Sequence, residues 1–433
     1  MDTPRSPYFP RWTPRATGVI APDERLPAGP TIALGMQHVV AMFGATVLAP
    51  LLMGFDPNVA ILFSGIGTLI FFVAVGGRVP SYLGSSFSFI AVVIAATAYA
   101  GSGPNANLPV ALGGIVAAGA AYTVIGLVVM ATGYAWIERL MPPPVTGAIV
   151  AVIGLNLAPI AVKGVAGSTF DTWIGIATIV AVGAIAVRAP GLARRLPILL
   201  GGLAGYVLYA TLANGFGLAK PIDFGAVAAA PWLGLPRFAA PVWDVQAMML
   251  IAPVAIVLVA ENLGHVKAVA AMTGRNLDAY LGRAFVGDGI ATMVAGAGGG
   301  TGVTTYAENI GVMAVTRIYS TLVFVVAAAT AIVLGFSPKF GALIMTIPGP
   351  VLGGLAIVVF GLITATGARI WVQNGVDFAR ARNLVTVAVT LTIGAGDLAL
   401  KLGGFTLGGI GTATFGAILL YQLLGDDRPE GPT

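Results

Sequence analysis

Thr304-Thr305-Tyr306-Ala307-Glu308-Asn309-Ile310-Gly311-Val312-Met313-Ala314-Val315-Thr316-Arg317 sets a carboxylate inside a sequence otherwise built to live in lipid. An ionisable residue at bilayer depth costs about 2.5–3.5 kcal/mol on insertion scales, so Glu308 needs a partner, a proton or a ligand to remain there. A second carboxylate, Glu261, lies upstream with one hydrophobic segment between, and His265 follows it by four residues. Together they point to a polar site within the membrane.

Composition sets the class. Hydrophobic residues make up 57% of the 433 and charged residues only 9%, whereas soluble domains carry about 25% charged residues; the mean hydropathy is +0.93. This is the composition of a polytopic membrane protein. Cysteine is absent, which excludes disulfides, thiolate metal sites and thiol nucleophiles. The 60 glycines fit helices that pack closely in lipid and break where they line a cavity.

Working outward from Glu308, fourteen apolar runs approach or exceed the length needed to cross about 30 Å of hydrocarbon. They lie at 31–53, 59–76, 85–100, 109–133, 143–162, 173–188 and 196–216, then at 246–268, 284–298, 303–316, 319–336, 348–368, 381–396 and 404–424, with 338–350 as a further partial span. The runs beginning at Ser85 and Val303 read as half-helices preceded by extended backbone, because Gly, Ser and Thr introduce them. With both termini in the cytoplasm, only Lys163, Lys220, Arg237, Lys339 and Lys401 fall outside, and all other Lys and Arg are cytoplasmic. That satisfies the positive-inside rule. It also explains the net charge of +5 without a nucleic-acid partner. The first 30 residues lack an apolar signal segment and read as a cytoplasmic tail.

The chain also echoes itself. Met141-Pro142-Pro143-Pro144-Val145-Thr146-Gly147-Ala148-Ile149-Val150 resembles Ile347-Pro348-Gly349-Pro350-Val351-Leu352-Gly353-Gly354-Leu355-Ala356, and each opens a span. Two halves of seven spans would enter the membrane from opposite sides, which gives an inverted repeat with its ligand site near the midplane between broken helices. In that symmetry the third run, from Ser81-Tyr82-Leu83-Gly84-Ser85-Ser86-Phe87, corresponds to the tenth, from Gly302-Val303-Thr304-Thr305-Tyr306-Ala307-Glu308. Open backbone is very costly in lipid, so paired extended segments or a small planar polar ligand must satisfy it.

Gln37-His38-Val39-Val40-Ala41-Met42-Phe43-Gly44-Ala45-Thr46-Val47, the Tyr82–Phe87 stretch, Ala260-Glu261-Asn262-Leu263-Gly264-His265 and Glu308-Asn309-Ile310-Gly311 through Thr316-Arg317 resemble the nucleobase/ascorbate transporter family, and within it the bacterial uracil and pyrimidine permeases. The likeness runs from about residue 20 to 425. It implies an all-α fold of fourteen spans in two inverted repeats, with a core domain (31–133 and 246–336), a gate domain (142–216 and 348–425), an external loop at 217–245 and tails at 1–30 and 426–433. It implies a homodimer in the bacterial inner membrane. It also implies proton-coupled import of uracil, with thymine and xanthine as further candidates. Glu261 and Glu308 take the two carboxylate roles, and His265 the position coupled to protonation. Phe87 and Ala307 take positions that offer backbone groups to the base; Ala45 and Tyr306 neighbour the pocket, and Ser86 joins them. Uracil permeases often carry Gly where Ala307 stands.

The chemistry agrees. Uracil presents two ring N–H donors and two carbonyl acceptors in one plane, so a site for it needs carboxylate acceptors and backbone N–H donors. Charge-assisted hydrogen bonds are about twice as strong as neutral ones. The resemblance implies a proton as the coupling ion; sodium replaces it in other branches of the family, but no oxygen-rich cage stands out here, and no metal or other cofactor is expected.

Each residue also has a purely structural reading. Glu308 would cap its half-helix, Glu261 and His265 would satisfy one another one turn apart, Phe87 would be ordinary core, and His38 a buried hydrogen-bonding residue. Asp288 and Arg283 read as a gate or packing contact near a cytoplasmic helix end, Arg317 as a topology anchor, Asp397 and Lys401 as solvated loop charges. Rival functions are a facilitated-diffusion nucleobase channel, a purine permease of the same family, an anion exchanger and a membrane enzyme. Two pocket carboxylates oppose an anion exchanger, and no metal cluster, Ser-x-x-Lys or His-Glu-x-x-His arrangement supports an enzyme.

Overall fold

The computed structural model describes residues 7–425 apart from 102, 192, 403 and 404; the tail at 426–433, Arg5 and Arg428 lie outside the described residues. A helix stands at every apolar run read from the sequence. These are α1 (Ala28–Met53), α2 (Pro57–Ala74), α3 (Ile90–Thr97), α4 (Leu108–Thr132), α5 (Pro143–Val165), α6 (Thr169–Arg188) and α7 (Pro197–Ala210). After the 217–245 loop come α8 (Val245–Ile251 and Val254–Thr273), α9 (Leu281–Ala297), α10 (Ala307–Thr316), α11 (Thr321–Gly335), α12 (Gly349–Gln373), α13 (Ala381–Ala395) and α14 (Gly409–Leu424). Among the described residues, eight helices are long and apolar enough to cross a membrane, or nine if α11 is joined to Pro338–Ile344 across an 86° bend. The protein is an integral membrane protein.

Local chemistry sets several boundaries. Asp56 caps α2 by accepting from the Asn58 N–H at 2.8 Å, with Pro57 in the first turn, and Ser168 caps α6 through the Asp171 N–H. Pro253 interrupts α8 after Ile251, because proline supplies no N–H to the helix ladder.

The helices pack in two sets. In one, α9 lies against α2 and α4, and α11 against α1 and α2; in the other, α12 lies along α5 and α6, α6 on α7, and α13 on α5 and α14. α5 and α12 run antiparallel and nearly touch. A Cβ on Gly147 would meet the carbonyl oxygen of Gly367 at 2.8 Å, and one on Gly164 the Cα of Gly353 at 3.0 Å, so small residues set this distance as they do in lipid-embedded helix pairs.

Residues 7–27, expected as a tail, are fastened across helix ends. Trp12 donates through Nε1 to Thr321 at 2.9 Å, Asp23 pairs with Arg275 at 2.6 Å, and the Ile20 N–H donates to the carbonyl of Arg317 at 3.1 Å.

Candidate functional site

Packed against α1, α2, α8 and α9, β1 (Leu83–Ser85) and β2 (Val303–Thr305) pair antiparallel, with Leu83 opposite Thr305, Gly84 opposite Thr304 and Ser85 opposite Val303. The ladder continues at both ends. The Ser86 N–H donates to Gly302 at 2.9 Å and the Tyr306 N–H to Tyr82 at 3.0 Å. Helix follows each strand at once, through a single 3₁₀ turn at Phe87–Phe89 into α3, and directly into α10. The expected half-helices behind extended backbone are therefore present, and their N-terminal ends, with free N–H groups and positive dipole ends, converge on the ribbon.

Threonines replace water as partners of the outward backbone groups. Thr68 of α2 accepts from the Leu83 N–H at 2.9 Å, and Thr292 of α9 accepts from the Val303 N–H at 3.2 Å and donates to the Val303 carbonyl at 3.0 Å. Each strand is thus held by a hydroxyl from the helix that precedes it.

Several side chains at the ribbon are not satisfied. Glu308 sits half-buried in the first turn of α10, and Glu261 half-buried in α8. Neither carboxylate has an ion-pair partner among the described residues. Among the described residues, the buried Oε2 of Glu261 and Thr304 Oγ1 have no hydrogen-bond partner within bonding distance. A buried polar atom without a partner costs about 1–3 kcal/mol. Such atoms beside broken helices are what a polar ligand would relieve. No group of His, Asp and Glu suited to a metal ion occurs among the described residues.

The other expected residues divide. Ala307 is exposed at the start of α10, next to Glu308. Phe87 is buried and meets Phe360 of α12 edge-on at 5.9 Å, so it bridges the two helix sets. Tyr306 donates to the Ser85 carbonyl at 2.7 Å, Ser86 accepts from the Ser88 N–H at 3.3 Å, and Ala45 is buried on α1. His265 does not pair with Glu261. Its Nδ1 lies 2.9 Å from Thr305 Oγ1, because the strand passes closer to that face of α8 than the side chain one turn back. His38 is buried as a core residue, with the Asn309 amide 3.0 Å from its Nδ1 and Phe324 against its ring at 4.6 Å.

The Asp288–Arg283 contact is corrected as well. Asp288 is fully buried within α9 and accepts from Asn262 at 2.5 Å; it makes no contact with Arg283, which lies instead under the Tyr8 ring at 5.5 Å. Asp397 is exposed in the turn after α13, as read, and also accepts from Asn156 of α5 at 3.0 Å. The Asn262–Asp288 pair, adjacent in sequence to Glu261, was missed; its one signal was an aspartate inside a glycine-rich apolar run.

Comparison with known proteins agrees with this geometry. The model of the Permease family (Xan_ur_permease) matches residues 29–403. The chain is 65% identical to a protein of Escherichia coli (strain K12) named as a pyrimidine permease, RutG, over 96% of this chain and 95% of the relative. It is 41% identical to the uracil permease of Bacillus caldolyticus (94% and 95% covered) and 38% identical to the uracil permease of Escherichia coli (strain K12) (96% of each). Among solved structures, the transmembrane domain of the cyanobacterial bicarbonate transporter BicA aligns with TM-score 0.60 at 18% identity, covering 84% of this chain and 96% of that one. The murine anion transporter Slc26a9 in its inward-facing state aligns with TM-score 0.64 at 13% identity, covering 92% and 68%. Those two likenesses establish a shared transporter fold. With the family model spanning most of its length and its relatives matched almost end to end, the chain belongs to the Permease family and is a transporter rather than an enzyme.

Proposed function

We propose that this protein imports uracil across the bacterial inner membrane together with a proton, with both termini in the cytoplasm. The observation that carries this reading is the ribbon of β1 and β2, with two half-helices starting from it and two carboxylates, Glu261 and Glu308, that have no ion-pair partner among the described residues. A planar base with two N–H donors and two carbonyls matches carboxylate acceptors and helix-start N–H donors. The names of the relatives, pyrimidine and uracil permeases, supply the substrate class. The bicarbonate and anion cargo of the structural neighbours is not carried over, since carboxylates would repel it.

The packing supports a core-against-gate mechanism. The set containing α1, α2, α4, α9 and α11 with the ribbon serves as the core domain, and α5–α7 with α12–α14 as the gate. Packing pairs match under exchange of the halves: α9 with α4 and α2 with α11, α12 with α6 and α5 with α13, α6 with α7 and α13 with α14. That supports an inverted repeat of fourteen spans and a site near the midplane. Protonation of a carboxylate from outside, binding of the base, movement of core against gate at the Phe87–Phe360 contact, and release inside complete the cycle.

The test is radiolabelled uracil uptake into proteoliposomes under an inward proton gradient. Accumulation above the external concentration, abolished by a protonophore, is expected. Equilibration without accumulation would replace symport by facilitated diffusion, and absence of uracil binding with binding of xanthine would replace the substrate.

A further inference from the structure

Away from the ribbon, α2, α4 and α9 enclose an open groove of about 650 Å³. Its walls are Leu69, Ile70 and Val73 from α2, Met130 from α4, and Val286 and Ile290 from α9. The groove is apolar throughout except at one end, where Arg283 lines it beneath the ring of Tyr8. That guanidinium has no ion pair or hydrogen bond among the described residues, and its one specific contact is with the face of the phenol.

Among the described residues, Arg283 is therefore a cation without an ion pair at the end of an apolar trough in a membrane protein. An acyl chain fits the trough, and a planar fork of N–H donors binds a phosphate oxygen pair in the bidentate manner that suits arginine. Basic pockets between spans on the cytoplasmic side bind anionic headgroups for the same reason. Tyr8 fixes the headgroup end. Its hydroxyl donates to the carbonyls of Val73 at 2.7 Å and Ala74 at 3.1 Å, at the end of α2. A phenol pinned at the terminus of a span holds the guanidinium at one height, as interfacial aromatic residues do.

We propose that this groove is a binding site for one anionic glycerophospholipid, its acyl chain against α2, α4 and α9 and its phosphate on Arg283. The site lies on the set of helices that carries the ribbon and is separate from it.

The experiment is native mass spectrometry of the full-length protein, purified with phosphatidylglycerol and phosphatidylcholine of identical acyl chains in equal amounts, for the wild type, Arg283→Gln and Val73→Trp. Wild type is expected to retain phosphatidylglycerol preferentially. Arg283→Gln should reduce that preference about fivefold, the weight of one basic residue at an anionic surface, while keeping the residual binding of both lipids. Val73→Trp, at an exposed wall position, should reduce retention of both by filling the trough. Added glycerophosphate should displace neither, which distinguishes a lipid from a free phosphate ligand. Equal retention of the two lipids by wild type, or an undiminished preference in Arg283→Gln, would overturn the proposal.

Discussion

The phenol of Tyr306 reaches along the ribbon and donates to the carbonyl oxygen of Ser85 at 2.7 Å, so a side chain at the start of α10 closes the backbone of β1. Gly84 makes room for it: a Cβ there would stand 2.5 Å from the Tyr306 ring and 2.6 Å from Thr46 Oγ1. Tyr306→Phe should therefore destabilise the protein by about 1–3 kcal/mol, because it leaves a buried acceptor without that donor. Gly84→Ala should do so by pushing the ring aside. Thermal unfolding in detergent, with and without uracil, checks both. A Tyr306→Phe protein with unchanged melting temperature and unchanged stabilisation by uracil would show that the bond positions nothing.

Thr68 and Thr292 hold the two strands from equivalent places on α2 and α9. Replacing either with Val keeps the shape and removes the hydroxyl, at about 1 kcal/mol for a typical buried hydrogen bond. If the halves are structural repeats, the two substitutions should cost similar amounts and weaken uracil binding alike. A large loss from one and none from the other would mean that only one half-helix is held this way.

Much of this was legible in the sequence. The apolar runs placed α1 to α14, though not the short helices at Ala135–Leu140 and Gly225–Ala229, and the Gly, Ser and Thr before Phe87 and Ala307 marked backbone that is extended, as β1 and β2 are. What escaped was rotation about helix axes. His265 could face Glu261 or the strand with equal sequence support, and only packing turns it to Thr305. Asp288 carries a charge that suggests a helix end, yet Asn262 holds it at full burial. The N-terminal segment looked like a tail because its anchors, Trp12, Ile20 and Asp23, are single residues whose partners lie some 250 to 310 positions away.

Glu261 and Glu308 differ in where they stand, and their amide variants should separate binding from coupling. If both carboxylates accept from the base N–H groups as proposed, each Glu→Gln change should cost about 1.5–3 kcal/mol, or roughly tenfold or more in uracil affinity. If one of them carries the proton, its Gln variant should also uncouple uptake from the proton gradient. Equilibrium binding and gradient-driven uptake are measured on the same preparations. Wild-type affinity and coupling in both variants would remove the two-carboxylate site.

The N-terminal segment should loosen in acid. Burial disfavours the ionised carboxyl of Asp23, but the hydrogen bond and charge of Arg275 outweigh it and hold the group below its ordinary 3.8. The Glu24 carboxyl is held below 4.5 first by the Ala21 N–H, against slight burial, and then by Arg15. A depressed value in the folded state means stability that is present at neutral pH and is lost as pH falls below the unfolded values through the folded ones. Hydrogen exchange of residues 13–25, corrected for intrinsic rates, should thus rise below about pH 4. Arg275→Gln should bring that opening to neutral pH, and protection unaltered in the variant would assign the segment's attachment to its apolar contacts alone.

The bond between His265 and Thr305 ties α8, which carries Glu261, to the strand that leads into Glu308. A double-mutant cycle of His265→Phe and Thr305→Val should therefore show a coupling energy of about 0.5–1.5 kcal/mol in protein stability, whereas a cycle of His265→Phe with Glu261→Gln should show less, since those two side chains are not bonded. The same cycles read on transport carry the mechanistic weight. If His265 acts by positioning β2, Thr305→Val should reproduce the transport defect of His265→Phe and leave its pH profile in place. A His265 that carried the proton itself would shift the pH profile of uptake when replaced, while Thr305→Val would not, and that outcome would move the proton from the carboxylates to the imidazole.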